Sequence, residues 1–408
     1  MRFLFVHQNF PGQFRHVARA LADDPRHQVI GICDATNLKP TSGLHPRVSI
    51  FGYPSPTRAG ADTHPYVRDY EAHVRRGQRV VRAAMRLQAH GFSPDVVVVH
   101  PGWGEGLFLR EVFPNARHVH YCEYFYHADG GDVGFDPEFP VSFDDRLRVV
   151  ARNSTQLLGL VQCDAGISPT LWQRARYPAE FQAKIRVLHE GVDSRRLRPD
   201  PQAVLEANSR TFCAAEEIVT FVARNLEPYR GFHSFMRMLP ALLAMRPAAQ
   251  VLIVGGDDVS YGSRLPAGES YRQKYSAEID GQVDWSRIHF LGKLPYDRYI
   301  KVLQVSSAHV YLTCPFVLSW SMLEAMASGC LVIGAATPPV QELIVDGENG
   351  LLVDFFDPDG IAQTVAAALA DPQRVAPLRQ RAREQVQRHY DLQSVCLPAW
   401  IDFLSAAE

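Results

Sequence analysis

The 408-residue sequence contains no apolar run near the roughly 20 residues a bilayer-spanning helix needs. Its opening stretch, MRFLFVHQNFPGQF, is interrupted at once by His7, Gln8 and Asn9. No long apolar segment and no small-residue cleavage site follow, so a signal peptide is not expected. Charge of one sign is also lacking. The formal net charge is −2, which argues against a general nucleic-acid binder. The seven cysteines (Cys33, Cys122, Cys163, Cys213, Cys314, Cys330, Cys396) are scattered and form no CxxC pair. Neither a disulfide framework nor a zinc site is indicated, and free thiols in a reducing cytoplasm are the expectation. There is no GxGxxG, so the signature of a dinucleotide-dependent dehydrogenase is missing; Gly255-Gly256-Asp257 reads as a plain strand-to-loop turn. What is present is the balance of a soluble globular protein, 46% hydrophobic and 21% charged. The length suits two domains of about 200 residues each.

The pattern along the chain alternates strand and helix. Phe3 to Val6 is a short apolar strand, Gln8 to Gln13 a loop, and Phe14, Val17, Ala18 and Leu21 share a helical face. Val29 to Ile32, Val96 to Val99 and Arg117 to Tyr121 read as further strands. The valine tetrad is apolar on both faces, as central parallel strands are. An arginine-rich helix is predicted over Tyr66 to His90. Ile185 to Leu188 is strand-like, and Ser194 to Arg210 reads as a polar linker. A second series begins with Val219 to Ala223 and continues with Val251 to Val254, Ile288 to Leu291, His309 to Leu312, Leu331 to Ile333 and Leu351 to Val353. Two doubly wound α/β domains in tandem are expected, with ligands at the carboxyl ends of the strands.

Several clusters carry candidate chemistry. Glu324 lies in an otherwise apolar or small helical segment, Trp320 to Ala327, and so needs a partner, either an ion pair or cap or the hydroxyls of a ligand. Arg224 and Arg230 stand six positions apart beyond the strand that ends at Ala223. They are either two solvated arginines or a fork for phosphate oxygens. Gly12, in Pro11-Gly12-Gln13-Phe14, is either an ordinary turn or a point where a ligand approaches backbone at a helix start. His118 and His120 fall on one face of a strand, and Glu123 follows. His100, Trp103 and Glu105 end the preceding strand and are candidates for an acceptor side. Arg75, Arg76, Arg79, Arg82 and Arg86 follow helical spacing in part, and read either as a solvated face or as a peripheral contact with an anionic membrane or lipid-linked acceptor. Asp357-Pro358-Asp359 has the form of a metal-binding Asp-x-Asp but precedes an alanine-rich helix, and is read as a turn and N-cap.

The segment from Pro315 to Gly329, with Val340 to Ile344 and Asp346 to Val353 after it, resembles the donor-site signature of the family 4 retaining glycosyltransferases. Their pattern is Glu, seven residues, Glu, then Ala-Met-Ala-x-Gly. His189 to Asp193 resembles the family's asparagine-glycine-valine-aspartate link, with Glu190 at the asparagine position. The resemblance implies that Glu324 contacts the nucleotide ribose and that Arg224 and Arg230 form the pyrophosphate clamp, Arg230 standing where lysine is usual. It implies that Gly12 faces the donor and that His120, or its rival Glu123, lines the catalytic centre. The first glutamate of the pair is replaced by Phe316, so Ser319, Ser321 and helix-start N–H groups become the candidates for holding the sugar.

The fold implied is GT-B, with two Rossmann-like domains facing across a cleft: an acceptor-side domain over 1–193, a donor domain over 194–390, and a C-terminal helix over 391–408 crossing back to the first. The activity implied is transfer, with retention, of a sugar from a nucleoside-diphosphate donor to a hydroxyl acceptor, in the cytoplasm or peripherally at the inner membrane face, with no cofactor and no metal. Acceptor, donor base and oligomeric state are not written in any motif. The alternatives are a sugar-nucleotide epimerase on the same scaffold and, because of Phe316, a catalytically silent nucleotide-sugar-binding paralogue. A pyridoxal-dependent phosphorylase finds no lysine motif.

Overall fold

The computed structural model describes residues 1–38 and 45–406. The chain divides into two compact units. Met1–Gly191 with Gln393–Glu408 forms the first, and Val192–Leu392 the second, against boundaries expected after residues 193 and 390.

Among the described residues, the first unit holds seven parallel strands: β1 (Arg2–Val6), β2 (Gln28–Asp34), β3 (Val48–Tyr53), β4 (Val96–Val99), β5 (Arg117–Tyr121), β6 (Ala165–Ser168) and β7 (Ile185–Val187), in the order β3-β2-β1-β4-β5-β6-β7. β1 pairs with β2 on one side and β4 on the other, Phe3 lying opposite both Val29 and Val96. The winding direction reverses there, so the carboxyl ends of β1 and β4 flank a topological switch point. Alternate residues of these strands feed two cores. Phe3 and Phe5 pack with Phe14, Val17 and Leu21, whereas Leu4 and Val6 pack with Val80, Ala84 and Leu87 of the helix Arg68–Ala89. The C-terminal helix Leu397–Ser405 belongs to this unit. Its Trp400 ring lies 6.4 Å from Phe14 and 6.2 Å from Tyr121, and its indole N–H donates to the His189 carbonyl at 3.0 Å. β3 and β6 were not expected from the sequence. β3 is an edge strand with Phe51 exposed, and β6 is only four residues long with Ile167 its one large apolar side chain, so neither shows a long apolar run.

The stretch read as linker contains the antiparallel hairpin β8 (Val204–Ala207) and β9 (Arg210–Cys213). Asn208 and Ser209 both have positive φ, 49° and 59°, as a two-residue hairpin turn requires. Only Leu205 and Phe212 point fully inward, which is why the segment reads as polar. The main sheet is β10 (Ile218–Asn225), β11 (Gln250–Gly256), β12 (Ile288–Gly292), β13 (Ala308–Tyr311), β14 (Leu331–Ala335) and β15 (Leu351–Val353), all parallel, in the order β12-β11-β10-β13-β14-β15. Its switch point lies at the carboxyl ends of β10 and β13. Gly231 turns the chain from the β10 loop into the helix Phe232–Met245 at φ +68°, and a side chain there would overlap Leu312. Asp357 caps its helix by accepting from the Gly360 N–H at 2.9 Å, the role read from the sequence. Among the described residues, no helix is long and apolar enough to cross a membrane.

Candidate functional site

At the second unit's switch point the structure gathers a buried cation. Arg230 is 9% exposed. Its Nη1 donates to Thr313 Oγ1 at 2.8 Å and to the Val317 carbonyl at 3.1 Å, both neutral oxygens from the loop that follows β13. Among the described residues no carboxylate pairs with it. Placing a charge there without a counter-ion costs several kcal/mol, so the position is poised for an anion. Both of these bonds leave from Nη1, and a side-chain hydrogen bond to Tyr261 is a further neutral contact of the guanidinium. Tyr261 lies over the guanidinium, 5.4 Å from its ring centroid. Tyr261 is held by Glu227, whose carboxylate accepts from the backbone N–H groups of Ser260, Tyr261 and Gly262 at 3.1, 3.1 and 2.9 Å. Arg224, by contrast, is exposed at the end of β10, and no hydrogen bond or ion pair holds its side chain among the described residues.

Phe316 is 5% exposed and packs edge-on to Tyr229 and Tyr261, with centroids 5.3 and 5.2 Å away. The position that carries a glutamate in the signature is thus part of an aromatic cluster beside Arg230. Ser319 caps the helix Trp320–Ala327, its Oγ accepting from the Ser321 N–H and lying 3.0 Å from Ser321 Oγ. Its own N–H donates to Tyr311 Oη at 2.8 Å. Glu324 has partners on both oxygens: Tyr296 Oη donates at 2.7 Å and Tyr299 Oη at 2.8 Å. Burial pushes its carboxyl up, and the two tyrosine hydrogen bonds oppose that shift. Each oxygen keeps a lone pair for a further donor.

The first unit's switch point carries a second network. Gln13 Nε2 donates to Glu123 Oε1 at 2.8 Å, and His100 Nε2 lies 3.2 Å from Glu123 Oε2. The Gly102 N–H donates to His100 Nδ1, so the proton sits on Nε2 and points at Glu123. Burial alone would raise the Glu123 carboxyl. The His100 hydrogen bond, with Gln13 and His7, outweighs it and holds Glu123 below its ordinary value. His7 accepts from the Asn9 N–H through Nδ1 at 2.9 Å, which puts its proton on the buried Nε2, on the side of Gln13. Burial is the main cause that pushes His7 down to about 3, against weaker effects of Glu123 and of a side-chain hydrogen bond with Gln13, so it is neutral at physiological pH. Gly12, at φ +47°, packs its backbone close against the imidazole edge: a Cβ there would sit 2.9 Å from His7 Nε2. Trp103 stacks on His100 at 4.4 Å and meets His7 edge-on at 5.3 Å.

The remaining candidates lie elsewhere. Glu105 is fully buried, accepts from Tyr53 Oη at 2.9 Å and lies 3.9 Å from Arg76 Nε, so it braces the loop from behind. Arg76 turns inward to donate to the Trp103 carbonyl at 2.9 Å, and Arg75 pairs with Glu71. Neither belongs to a freely solvated basic face. His120 is 2% exposed and set against Gly159 and Gly106, with burial and then His118 pushing it down to about 3. It shares no hydrogen bond with the Glu123 network. His7, Glu227, Tyr261, Tyr296, Tyr299 and Thr313 were not singled out from the sequence. The signal for His7 was its place one residue beyond β1; the others become visible only in three dimensions. Among the described residues, no three His, Cys, Asp or Glu side chains are grouped as metal ligands.

Comparison with known proteins bears on this geometry. Residues 25–197 match the model of the glycosyl transferase family 4 group, and residues 208–388 that of the glycosyl transferases group 1. A phosphatidyl-myo-inositol mannosyltransferase of Mycolicibacterium smegmatis is 30% identical over 175 residues, covering 42% of this chain and 41% of that protein. A GDP-mannose-dependent alpha-(1-6)-phosphatidylinositol monomannoside mannosyltransferase of Mycobacterium tuberculosis is 28% identical, covering 76% of this chain and 79% of that protein. The chain spans only about half the length of several curated relatives that it matches. Among solved structures, Anabaena HepE in complex with UDP superposes with a TM-score of 0.70 at 17% identity, covering 100% of both chains, a likeness of fold.

Proposed function

The chain belongs to the group 1 glycosyltransferases, and on that footing we propose that it moves a glycosyl group from a nucleoside-diphosphate sugar to an acceptor hydroxyl, with retention and without a metal. The observation that carries this reading is Arg230, a buried cation with no carboxylate partner among the described residues at the switch point of the second unit, with exposed Arg224 at the end of β10, the strand that leads to it. Two guanidinium forks supply the charge that a departing diphosphate needs, and such electrostatic terms commonly dominate catalysis. Glu324, held by Tyr296 and Tyr299, offers lone pairs to ribose hydroxyls. In the transfer, the bond from the anomeric carbon to the diphosphate oxygen breaks, a bond to the acceptor oxygen forms on the same face, and the acceptor proton passes to the departing phosphate.

Phe316 withholds the carboxylate that would grip a sugar hydroxyl, so Ser319, Ser321 and nearby backbone N–H groups are assigned to hold the sugar. The donor base stays open between uridine and guanosine, since HepE was solved with UDP whereas the Mycobacterium tuberculosis relative is named for GDP-mannose. All seven cysteines are free, which suits work in a reducing cytoplasm. Incubation of the full chain with UDP- and GDP-sugars and a library of hydroxyl acceptors, read by mass spectrometry and then by NMR of the anomeric proton, tests this. The expected product keeps the donor's anomeric configuration. Inversion defeats the retaining assignment. Nucleotide binding without any transfer favours the silent-paralogue reading that Phe316 motivates.

A further inference from the structure

A helix that packs on a sheet ordinarily turns a polar face outward. In the first unit the helices Phe143–Arg152 and Ser154–Gln162 do the opposite. Phe143, Val150 and Val161 are 74%, 70% and 68% exposed, and Leu147, Leu157 and Leu158 are also open to solvent. Asn153 joins the two helices in the right-handed helical region, at φ −73° and ψ −7°. Its buried side chain accepts from the Tyr126 N–H at 3.0 Å and donates to the Tyr126 carbonyl at 2.7 Å, which fixes the joint. The phase of burial carries through that joint. Val149, Gln156 and Leu160 turn inward at helical spacing, and the exposed apolar residues share the opposite side.

The stripe has a spacing that reads the same in both directions. Phe143, Leu147, Val150, Ser154, Leu157 and Val161 follow one another at intervals of four, three, four, three and four residues, the seam spacing of paired helices. A two-fold axis at its centre sets Phe143 opposite Val161 of a second copy, Leu147 opposite Leu157, and Val150 opposite the small Ser154. Charge agrees with that direction. Asp144, Asp145, Arg146 and Arg148 all lie in the first helix, and Ser154–Gln162 carries no charged residue. Antiparallel pairing therefore brings no like charges together, whereas parallel pairing sets each against itself. A membrane fits less well. Arg146 pairs with Asp129 at 2.6 Å, Arg148 pairs with Asp144 at 2.6 Å and Asp145 at 3.3 Å, and Arg152 lies 4.0 Å over the Tyr126 ring. Three aspartates balance three arginines, so the face lacks the basic excess that anionic lipid recruits. The apolar side chains expose roughly 600 Å², at the top of the range for a patch on a monomer, and polar flanks bring the face towards the ~800 Å² per partner of a standard interface. From this geometry we infer that the chain forms a two-fold symmetric dimer by antiparallel pairing of residues 143–162. The inference is independent of the donor site and of the transfer reading.

Sedimentation velocity on the full chain tests this, with the dimer fraction expected to rise by mass action between about 1 and 100 μM. Val150→Asp places two carboxylates beside the two-fold axis and should weaken association at least about tenfold. Val150 is exposed, so the variant's melting temperature should match that of the wild type. Val345→Asp, at an exposed position of the second unit, should dimerise as the wild type does. Disulfide cross-linking reads the register. Under a mild thiol oxidant, Leu147→Cys mixed with Leu157→Cys should give a cross-linked dimer that the wild-type thiols do not. Leu147→Cys alone should give little, because antiparallel pairing holds its two copies roughly 15 Å apart along the helix axis. A chain that stays monomeric throughout that range, a dimer untouched by Val150→Asp, or cross-linking that favours Leu147→Cys with itself overturns the inference. Monomers that co-sediment with phosphatidylglycerol vesicles, and lose that binding in Val150→Asp, assign the face to a membrane and overturn it as well.

Discussion

Replacing Arg230 with methionine should separate stability from binding. In the wild type, burial of the guanidinium costs several kcal/mol. Against that stand two hydrogen bonds from a charged donor, to Thr313 Oγ1 and the Val317 carbonyl, each contributing about 1.5–3 kcal/mol. The two effects nearly cancel, and methionine fills similar volume among Tyr229, Tyr261 and Phe316. The melting temperature of Arg230→Met should therefore stay within about 4 °C of wild type, given roughly 2–4 °C per kcal/mol for a unit of this size. Nucleoside-diphosphate affinity should fall far more. Loss of one charge-assisted phosphate contact of about 3 kcal/mol is a factor of roughly 150. Differential scanning fluorimetry and calorimetry on the same preparation read both quantities. A large drop in melting temperature with unchanged affinity would show that Arg230 is a structural residue and refute the reasoning.

Further expectations concern the frame around the site. Burial holds His7 and His120 down to about 3, and His73, His189 and His309 down to about 4, against about 6.5 in the unfolded chain. Between pH 6.5 and 4 the unfolded chain binds the extra protons, so stability must fall as pH falls, by up to about 1.4 kcal/mol per pH unit for each histidine. Urea midpoints at pH 7, 6 and 5 check this, and His309→Gln should flatten the slope; equal midpoints would contradict it. Gly231→Ala forces a side chain against Leu312 at positive φ and should destabilise by more than about 1 kcal/mol, measured by chemical denaturation. Glu227→Gln weakens the three-pronged hold on residues 260–262 and should speed amide exchange there, read by mass spectrometry, while the sheet stays protected.

Much of the scaffold was legible because parallel strands buried on both faces leave near-continuous apolar runs, as Phe3 to Val6 and Val96 to Val99 show. The hairpin over Val204–Cys213 was not, since a short strand with one inward residue in each arm leaves too weak an alternation. Arg230 could be placed near a site from its position after a strand, yet its lack of a counter-ion emerges only from packing. Strand periodicity set His118 and His120 on one face, but could not say that Gly159 and Gly106 enclose that face. Glu123 lies beyond the strand end, where alternation carries no information, and its partners Gln13 and His100 come from 110 and 23 residues away. Arg76 was read with the helix's other arginines because spacing alone cannot show that one of them turns inward to the Trp103 carbonyl.

The most direct test of the account is a calorimetric titration of UDP, GDP, ADP and dTDP into wild type and Arg224→Ala. Arg224 is exposed and unbonded, so its removal should leave the fold intact. The account predicts that one nucleoside diphosphate binds the wild type clearly best and that Arg224→Ala loses at least about tenfold of that affinity, 1.4 kcal/mol, at an unchanged melting temperature. If no nucleotide binds, or if the variant binds as tightly as wild type, the donor site proposed at the ends of β10 and β13 is contradicted.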